Sequence, residues 1–233
     1  MSVWLNVDLG ELEGEPEALY AATHVANIAC GGHAGDDESM KRAVSLCLRH
    51  GAALGVHPSY PDREGFGRRA LSLAATALGD AVAAQCAHLA DVARASGTAV
   101  RFVKPHGALY HTADRDPALA TAVVNAALRG LRAQASDLTL IGPPAGALAE
   151  AAARAGLSYA REAFADRGVR SDGTLVPRGQ PGAVIVDPAR VAARARELCA
   201  SGDVETIGVH SDSPGAVTLA RAARAAIDEA FAP

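Results

Sequence analysis

A parallel β/α barrel is the fold this sequence predicts, on three observations. Seven short β-prone runs alternate with helical segments along 233 residues. The connections are short, as right-handed crossovers in a parallel sheet require. Polar, chemistry-bearing residues collect at the C-terminal tips of the runs, where such folds bind ligands. So many units favour a closed or nearly closed barrel over an open doubly wound sheet, and pattern alone admits either. No composition shift, internal repeat or low-complexity linker divides the chain, so one domain over residues 1–233 is expected.

Residues 3–9 (VWLNVDL) form the first run and carry Asp8 near its end; the DLGELEGEPE that follows is too rich in turn formers to continue it. Residues 25–29 form the second. It opens into NIACGGHAGD, residues 27–36, where Gly31, Gly32 and Gly35 present His33 on sharply turning backbone. DDESMKRAVSLCLRHG then has acids in its first turn and Gly51 past its end, the start and stop signals of a helix. Residues 52–56 form the third run, ending at His57, and PSYPDREGFGRR beyond it is read as a long functional loop.

Residues 72–96 place Leu73, Leu78, Val82, Cys86, Leu89 and Val92 at near-helical spacing and close at Gly97, one long scaffold helix or two abutting ones. Residues 99–103 form the fourth run, leading into KPHGALYH. The next helix begins at Asp116-Pro117, a side-chain cap followed by proline at the first helical position, and the same device is read at Asp187-Pro188 and Ser213-Pro214. Residues 138–141, 159–164 and 206–209 complete the runs, with helices over 145–155, 189–200 and 216–231.

Lys and Arg number 22 against 26 Asp and Glu, with no block of like charge, which excludes a nucleic-acid or membrane footprint and favours a small-molecule ligand. Cys30, Cys47, Cys86 and Cys199 lie far apart without a CxxC pair, neither a disulfide framework nor a zinc-ribbon spacing. Cys30 has no basic neighbour to activate it and reads as a small buried residue. No segment approaches the roughly 18 apolar residues of a membrane helix, and no signal peptide opens the chain, so a cytoplasmic protein is expected.

Lys104 and His106, two apart at a strand end, face one side and can meet one ligand. The histidine suits proton transfer near neutral pH, and the lysine suits an anion or a developing negative charge. Tyr110 reads equally as packing or ligand contact. Asp8, His33 and His57 come from successive strand ends. They fit the ligand set of a divalent metal, completed by Asp36 or Asp212, or a metal-free cluster in which Asp8 orients a histidine that activates water. Arg68 and Arg69 follow a flexible glycine pair and can grip a carboxylate or phosphate. EAFADRG supplies Glu162, Asp166 and Arg167, one acid for chemistry and one to pair with Arg167. The glycine-rich VRSDGTLVPRGQPGA after it is read as a lid. HSDSPGAV adds His210 and Asp212, with a helix N-terminus at Ser213-Pro214 that favours an anion. GxxxxGK[ST], strand-linked GxGxxG and GxSxG patterns are absent.

NIACGGHAGD, GVHPSYPDREGFGRR, VKPHGALY, EAFADRG and HSDSPGAV, in this order over essentially the whole chain, closely resemble the LamB/YcsF family of 5-oxoprolinase A subunits. The resemblance implies a seven-stranded barrel of the glycoside hydrolase/deacetylase kind. It also implies participation, with two further subunits, B and C, in ATP-dependent opening of 5-oxoproline to L-glutamate. Four departures stand out: Val7 replaces a cysteine, ELEGEPEAL stands in place of a glycine-aromatic segment and is read as shortening or altering the first loop, Gly32 replaces a phenylalanine and Ser211 a glycine. Gly32 is read as enlarging the pocket.

On this reading ATP is bound by the partner subunits and a homo-oligomer is compatible with the chain. Catalysis falls to Lys104, His106, Asp8 and His57. Substrate is bound by Arg68, Arg69, Glu162, Asp166, His210 and Asp212, and Asp8, His33 and His57 are the candidate metal ligands. Two other readings are weighed against it: a stand-alone metal-dependent amide or carbohydrate deacetylase, and a non-catalytic subunit that binds the lactam for a partner.

Overall fold

Short runs alternating between apolar and small or polar residues become strands, and the alanine-rich segments become helices. The computed structural model describes residues 3–170 and 173–232. In chain order the elements are β1 (Trp4–Leu9), α1 (Glu17–Ala22), β2 (Val25–Ala29), α2 (Asp37–His50), β3 (Ala53–His57), α3 (Ala75–Ala95), β4 (Phe102–Val103), α4 (Gly107–Arg115), α5 (Pro117–Leu131), β5 (Thr139–Gly142), α6 (Ala147–Ala155), β6 (Ser158–Phe164), α7 (Pro188–Ser201), β7 (Thr206–His210) and α8 (Ala216–Ala230). Each strand pairs in parallel with the next, and β1 also pairs with β7, so the seven-stranded sheet closes on itself. The expected barrel is therefore the closed one. No helix among the described residues is long and apolar enough to cross a membrane.

Alternation along the strands separates two environments. On β1, Leu5, Val7 and Leu9 join the shell of apolar residues between strands and helices. Asn6 and Asp8 enter a polar network inside the barrel instead. Nearer the strands' N-terminal ends, Val25, Ile141 and Ala160 form a separate apolar plug with Trp4, Ala53 and Phe102. Above the plug, Asn6 Nδ2 donates to Glu162 Oε1 at 2.8 Å and to Thr206 Oγ1 at 2.9 Å. Asn27 Nδ2 donates to Asn6 Oδ1 at 2.8 Å and to Asp8 Oδ1 at 2.9 Å. This network is the floor of the site. Gly208 on β7 makes room for it, since a Cβ there would stand 2.6 Å from Glu162 Oε1.

The helix punctuation holds at two of the three proline sites. Asp116 accepts from the N–H groups of Ala118 and Leu119, and Asp187 from that of Ala189. Ser213 does not cap: its hydroxyl donates to Asp166, and α8 starts after Gly215, which takes φ 74°. The anion site read at Ser213-Pro214 therefore lacks its helix N-terminus there. Two helices were not expected. α1 forms just beyond the turn-rich stretch, where Glu15 Oε2 accepts from Gly10 N–H and Tyr20 O–H, both at 2.8 Å, and ties the loop to the helix. α4 begins within KPHGALY, at Gly107, directly after His106 in extended backbone. β4 is shorter than expected because pairing begins only at Phe102, not at residue 99.

Candidate active site

A cavity of about 1040 Å³ opens at the C-terminal ends of the strands. The strand register explains what lies on its floor: Asp8 stands beside Asn27 on one side and His210 on the other, and His57 stands beside Ala29. Lys104, just past β4, reaches into the centre. Its Nζ donates to Asp8 Oδ1 at 2.9 Å and to Asn6 Oδ1 at 3.0 Å, and pairs with Glu162 Oε1 at 2.8 Å. The lysine is almost wholly buried, and burial favours its neutral form; Asp8 and Glu162 outweigh this and hold the ammonium charged.

The two carboxylates on that ammonium are pushed apart. Burial raises Asp8, yet the charges of His57 and Lys104 bring it below the ordinary carboxylate range. Burial also raises Glu162, and there Lys104 offsets the effect only in part, because the nearby Asp8 charge adds to it. Asp8 is the ionised partner and Glu162 the one that takes a proton more readily.

A second cluster lies beside the first. Glu11 Oε1 is 3.0 Å from His33 Nε2, 3.2 Å from His106 Nδ1 and 3.7 Å from His57 Nε2. His57 Nε2 and His106 Nδ1 are 2.9 Å apart. His33 stacks flat on His106, with centroids 3.6 Å apart and planes at 3°. Glu11 is held well below its ordinary value: burial raises it, and the neighbouring His106 and His33 outweigh that. Burial lowers His33, and pushes His57 down to about 3. Glu11, His33, His57 and His106 together could hold a divalent metal ion. The ligand set expected from sequence, Asp8, His33 and His57, changes in one member and gains another. Asp8 stands 3.5 Å from His57 Nε2 but spends Oδ1 on Lys104.

The third group is a dyad. Asp166 accepts from the backbone N–H of His210 at 3.0 Å, from its Nδ1 at 3.0 Å and from Ser213 Oγ at 3.0 Å. Burial would raise Asp166; the neighbouring His210 and these bonds lower it. His210 stacks on Phe164 and lines the cavity, and its Nε2 makes no hydrogen bond among the described residues. Asp166 thus holds the ring and points the free nitrogen at the ligand space.

The arginines divide. Arg68 lines the cavity, pairs with Asp212 and lies over Phe66 at 4.8 Å. Arg178 shares that Asp212 at 3.1 Å. Arg69 is drawn away to Asp62 and Glu64 and does not line the cavity. Arg167 is buried and donates to the carbonyls of Ala183 and Val176, so neither Glu162 nor Asp166 is its partner. The described residues of the glycine-rich segment after it are braced by antiparallel bridges, Arg167 with Val184 and Val169 with Leu175, and line one wall; Ser171 and Asp172, within the stretch read as a lid, lie outside the described residues. Cys30 is buried, and burial pushes its thiol well up.

Gly32 does not enlarge the pocket. A Cβ there would overlap Gln85 Oε1 and Ser59 Oγ. Gln85 fills the space and is fixed by Ser59, whose N–H it accepts and whose carbonyl it donates to, both at 2.9 Å. Gly32→Ala is expected to cost about 1–3 kcal/mol by overpacking, read as a lower midpoint in urea unfolding. Unchanged stability would show that Gln85 yields freely.

Sequence reasoning missed Glu11, Asn6 and Asn27. The period-two spacing of Asn6 and Asp8 marked one face of β1 as polar. Glu11 carried no such signal: it sits in a turn created by Gly10 at φ 72°.

A model of the LamB/YcsF family matches residues 3–232. The A subunit of a 5-oxoprolinase from Methylococcus capsulatus is 43% identical over 237 residues, covering 94% of this chain and 90% of that protein. Its counterpart from Symbiobacterium thermophilum is 42% identical over 243 residues, covering 97% and 92%. The lactam utilization protein from Thermus thermophilus superposes with a TM-score of 0.89 at 35% identity, covering 99% of this chain and 97% of that one. A family 4 carbohydrate esterase from Streptomyces lividans shares the fold alone, with a TM-score of 0.51 at 10% identity.

Proposed function

The chain belongs to the LamB/YcsF family, and from that premise we propose that it is the A subunit of a 5-oxoprolinase and opens the lactam of 5-oxo-L-proline. The observation that carries this reading is the buried Lys104 ammonium on the floor of the cavity, in a chain aligned nearly end to end with relatives named as 5-oxoprolinase A subunits.

A lactam is a resonance-stabilised amide and a poor electrophile at neutral pH. Transfer of phosphate from ATP to its oxygen weakens that resonance and lowers the barrier to attack at carbon. This chain has no recognised ATP motif, so the phosphoryl transfer belongs to two partner subunits and ring opening to this cavity. Water adds to the ring carbon, the C–N bond breaks and the nitrogen takes up a proton. A second water then releases glutamate and phosphate from the acyl phosphate so formed.

Lys104 faces the oxygen on which negative charge grows. His210, oriented by Asp166, moves the proton through its free Nε2. Arg68, at the rim, meets the substrate carboxylate. His57 and His106, expected from sequence to share the acid/base work, give one ring nitrogen each to a backbone carbonyl and turn the others toward each other and Glu11. They are poorly placed to shuttle protons to a ligand.

The second reading, a metal-dependent amide hydrolase acting alone, is favoured by the Glu11 cluster. One assay separates the two. Glutamate release is measured with this chain alone, with its two partners alone and with the three mixed, with and without ATP. Product only from the ATP-supplied mixture is the expected result. Glutamate from the isolated chain without ATP would overturn the proposal.

A further inference from the structure

We infer that Glu11, His33, His57 and His106 form a four-ligand site for one divalent cation of the zinc class. The inference rests on the positions of protons and lone pairs and holds for either reading of the substrate.

A carbonyl oxygen can only accept a hydrogen bond. The 2.7 Å between His57 Nδ1 and Lys104 O therefore puts that ring's proton on Nδ1. In the same way, 2.9 Å between His106 Nε2 and Phe66 O puts the other ring's proton on Nε2. In the neutral rings, the remaining nitrogens, His57 Nε2 and His106 Nδ1, are lone pairs aimed at each other across 2.9 Å. Glu11 Oε1, a third acceptor, is 3.2 Å from one and 3.7 Å from the other. His33 Nε2 approaches the same oxygen at 3.0 Å.

Converging acceptors in a buried space repel unless positive charge stands among them. A proton can bridge only two of these atoms. A cation can serve all four. In a tetrahedral site with bonds of about 2.0–2.1 Å, ligand atoms stand roughly 3.3 Å apart. The observed separations of 2.9, 3.0, 3.2 and 3.7 Å straddle that spacing. All four ligand atoms lie within 4.8 Å of one another.

The surroundings also have the form of a metal site. Ligating histidines commonly donate their other N–H to a carbonyl or carboxylate, which fixes the tautomer. His57 and His106 both do so. The carbonyl that orients His106 belongs to Phe66, which holds φ 54°, a left-handed conformation uncommon for a bulky residue. His33 lacks such a carbonyl and is held by its stacking on His106. Three imidazoles and one carboxylate suit zinc or cobalt better than magnesium or calcium, which prefer all-oxygen shells. Glu11, His57 and His106 line the cavity, so an ion among them would bring Lewis acidity to the side of the ligand space next to Lys104.

The test is metal binding by the full chain, stripped with a chelator and titrated with zinc by calorimetry, and with cobalt by visible absorption. One equivalent of zinc and the d–d bands of a four-coordinate cobalt centre are expected. Glu11→Gln keeps the side chain's shape and removes its charge. It should weaken zinc binding by more than about 100-fold, beyond the 10–100-fold typical of losing an outer partner, with circular dichroism unchanged. His88→Ala, at an exposed histidine of α3, should bind as wild type. No uptake by the wild-type chain, with nitrogen-15 resonances of a protonated imidazole shared by His57 and His106, would overturn the inference. So would equal uptake by a folded Glu11→Gln chain, which would put the ion elsewhere.

Discussion

Replacing Lys104 with methionine should destabilise the protein by about 3–5 kcal/mol, the usual cost of removing one partner from a buried ion pair, and lower the turnover of the assembled enzyme by about 10²–10³-fold. The two losses have separate causes. The stability loss comes from the acids left behind: Asp8 and Glu162 are both almost wholly buried, and both contact the ammonium. The turnover loss comes from the missing charge beside the reacting oxygen. A double variant, Lys104→Met with Glu162→Gln, tells them apart. It should recover part of the stability, since one buried carboxylate is gone, and recover no activity. Urea unfolding and glutamate release at saturating substrate provide the two readouts. Activity that returned with stability would make Lys104 a purely structural residue.

Asp166→Asn should lower turnover by about 10²–10⁴-fold, the range for losing a positioned acid or base, with little change in KM. An amide at residue 166 can donate to His210 Nδ1, which would place the ring's proton on Nε2 and leave no lone pair toward the cavity. The native carboxylate accepts from Nδ1 and keeps the Nε2 lone pair toward the cavity. His210→Gln should lose activity to a similar degree. The pair of substitutions should be no worse than either alone, because the two residues act as one unit. Additive losses would mean that Asp166 contributes through Ser213 or the backbone of His210 rather than through the ring.

The barrel was legible because its signal is repeated. Each strand is short, but seven of them at regular intervals, most of them followed by a polar tip, point to a parallel β/α sheet more strongly than any one does alone, and the pairing of β1 with β7 closes it. Residues on strands were readable for the same reason. Asp8, His57, Lys104, Glu162 and His210 all line the cavity, since period-two alternation and the direction of the strands leave little freedom.

What lay on loops was not legible, because tertiary contacts decide it. Glu11 sits in a turn that looked like mere punctuation, and only the folded chain carries it to three histidines from separate segments. Arg68 and Arg69 are adjacent in sequence, yet Asp62 and Glu64 claim the second and leave the first at the cavity. Ser213 looked like a cap, and Asp166, 47 residues away in sequence, took its hydroxyl. Gly32 looked like missing bulk, and Gln85 of α3 occupies the space.

The division of labour between this chain and its partners is the central claim, and one measurement bears on it most directly. ADP and glutamate are quantified together in a complex of the two partner subunits with the Lys104→Met, Glu162→Gln chain. If phosphorylation takes place on the partners and ring opening in this cavity, glutamate falls by about 10²–10³-fold while ADP formation falls far less, and the two products part company. Wild-type glutamate release from that complex would contradict the account, because the reaction would then proceed without the charge at the centre of the barrel.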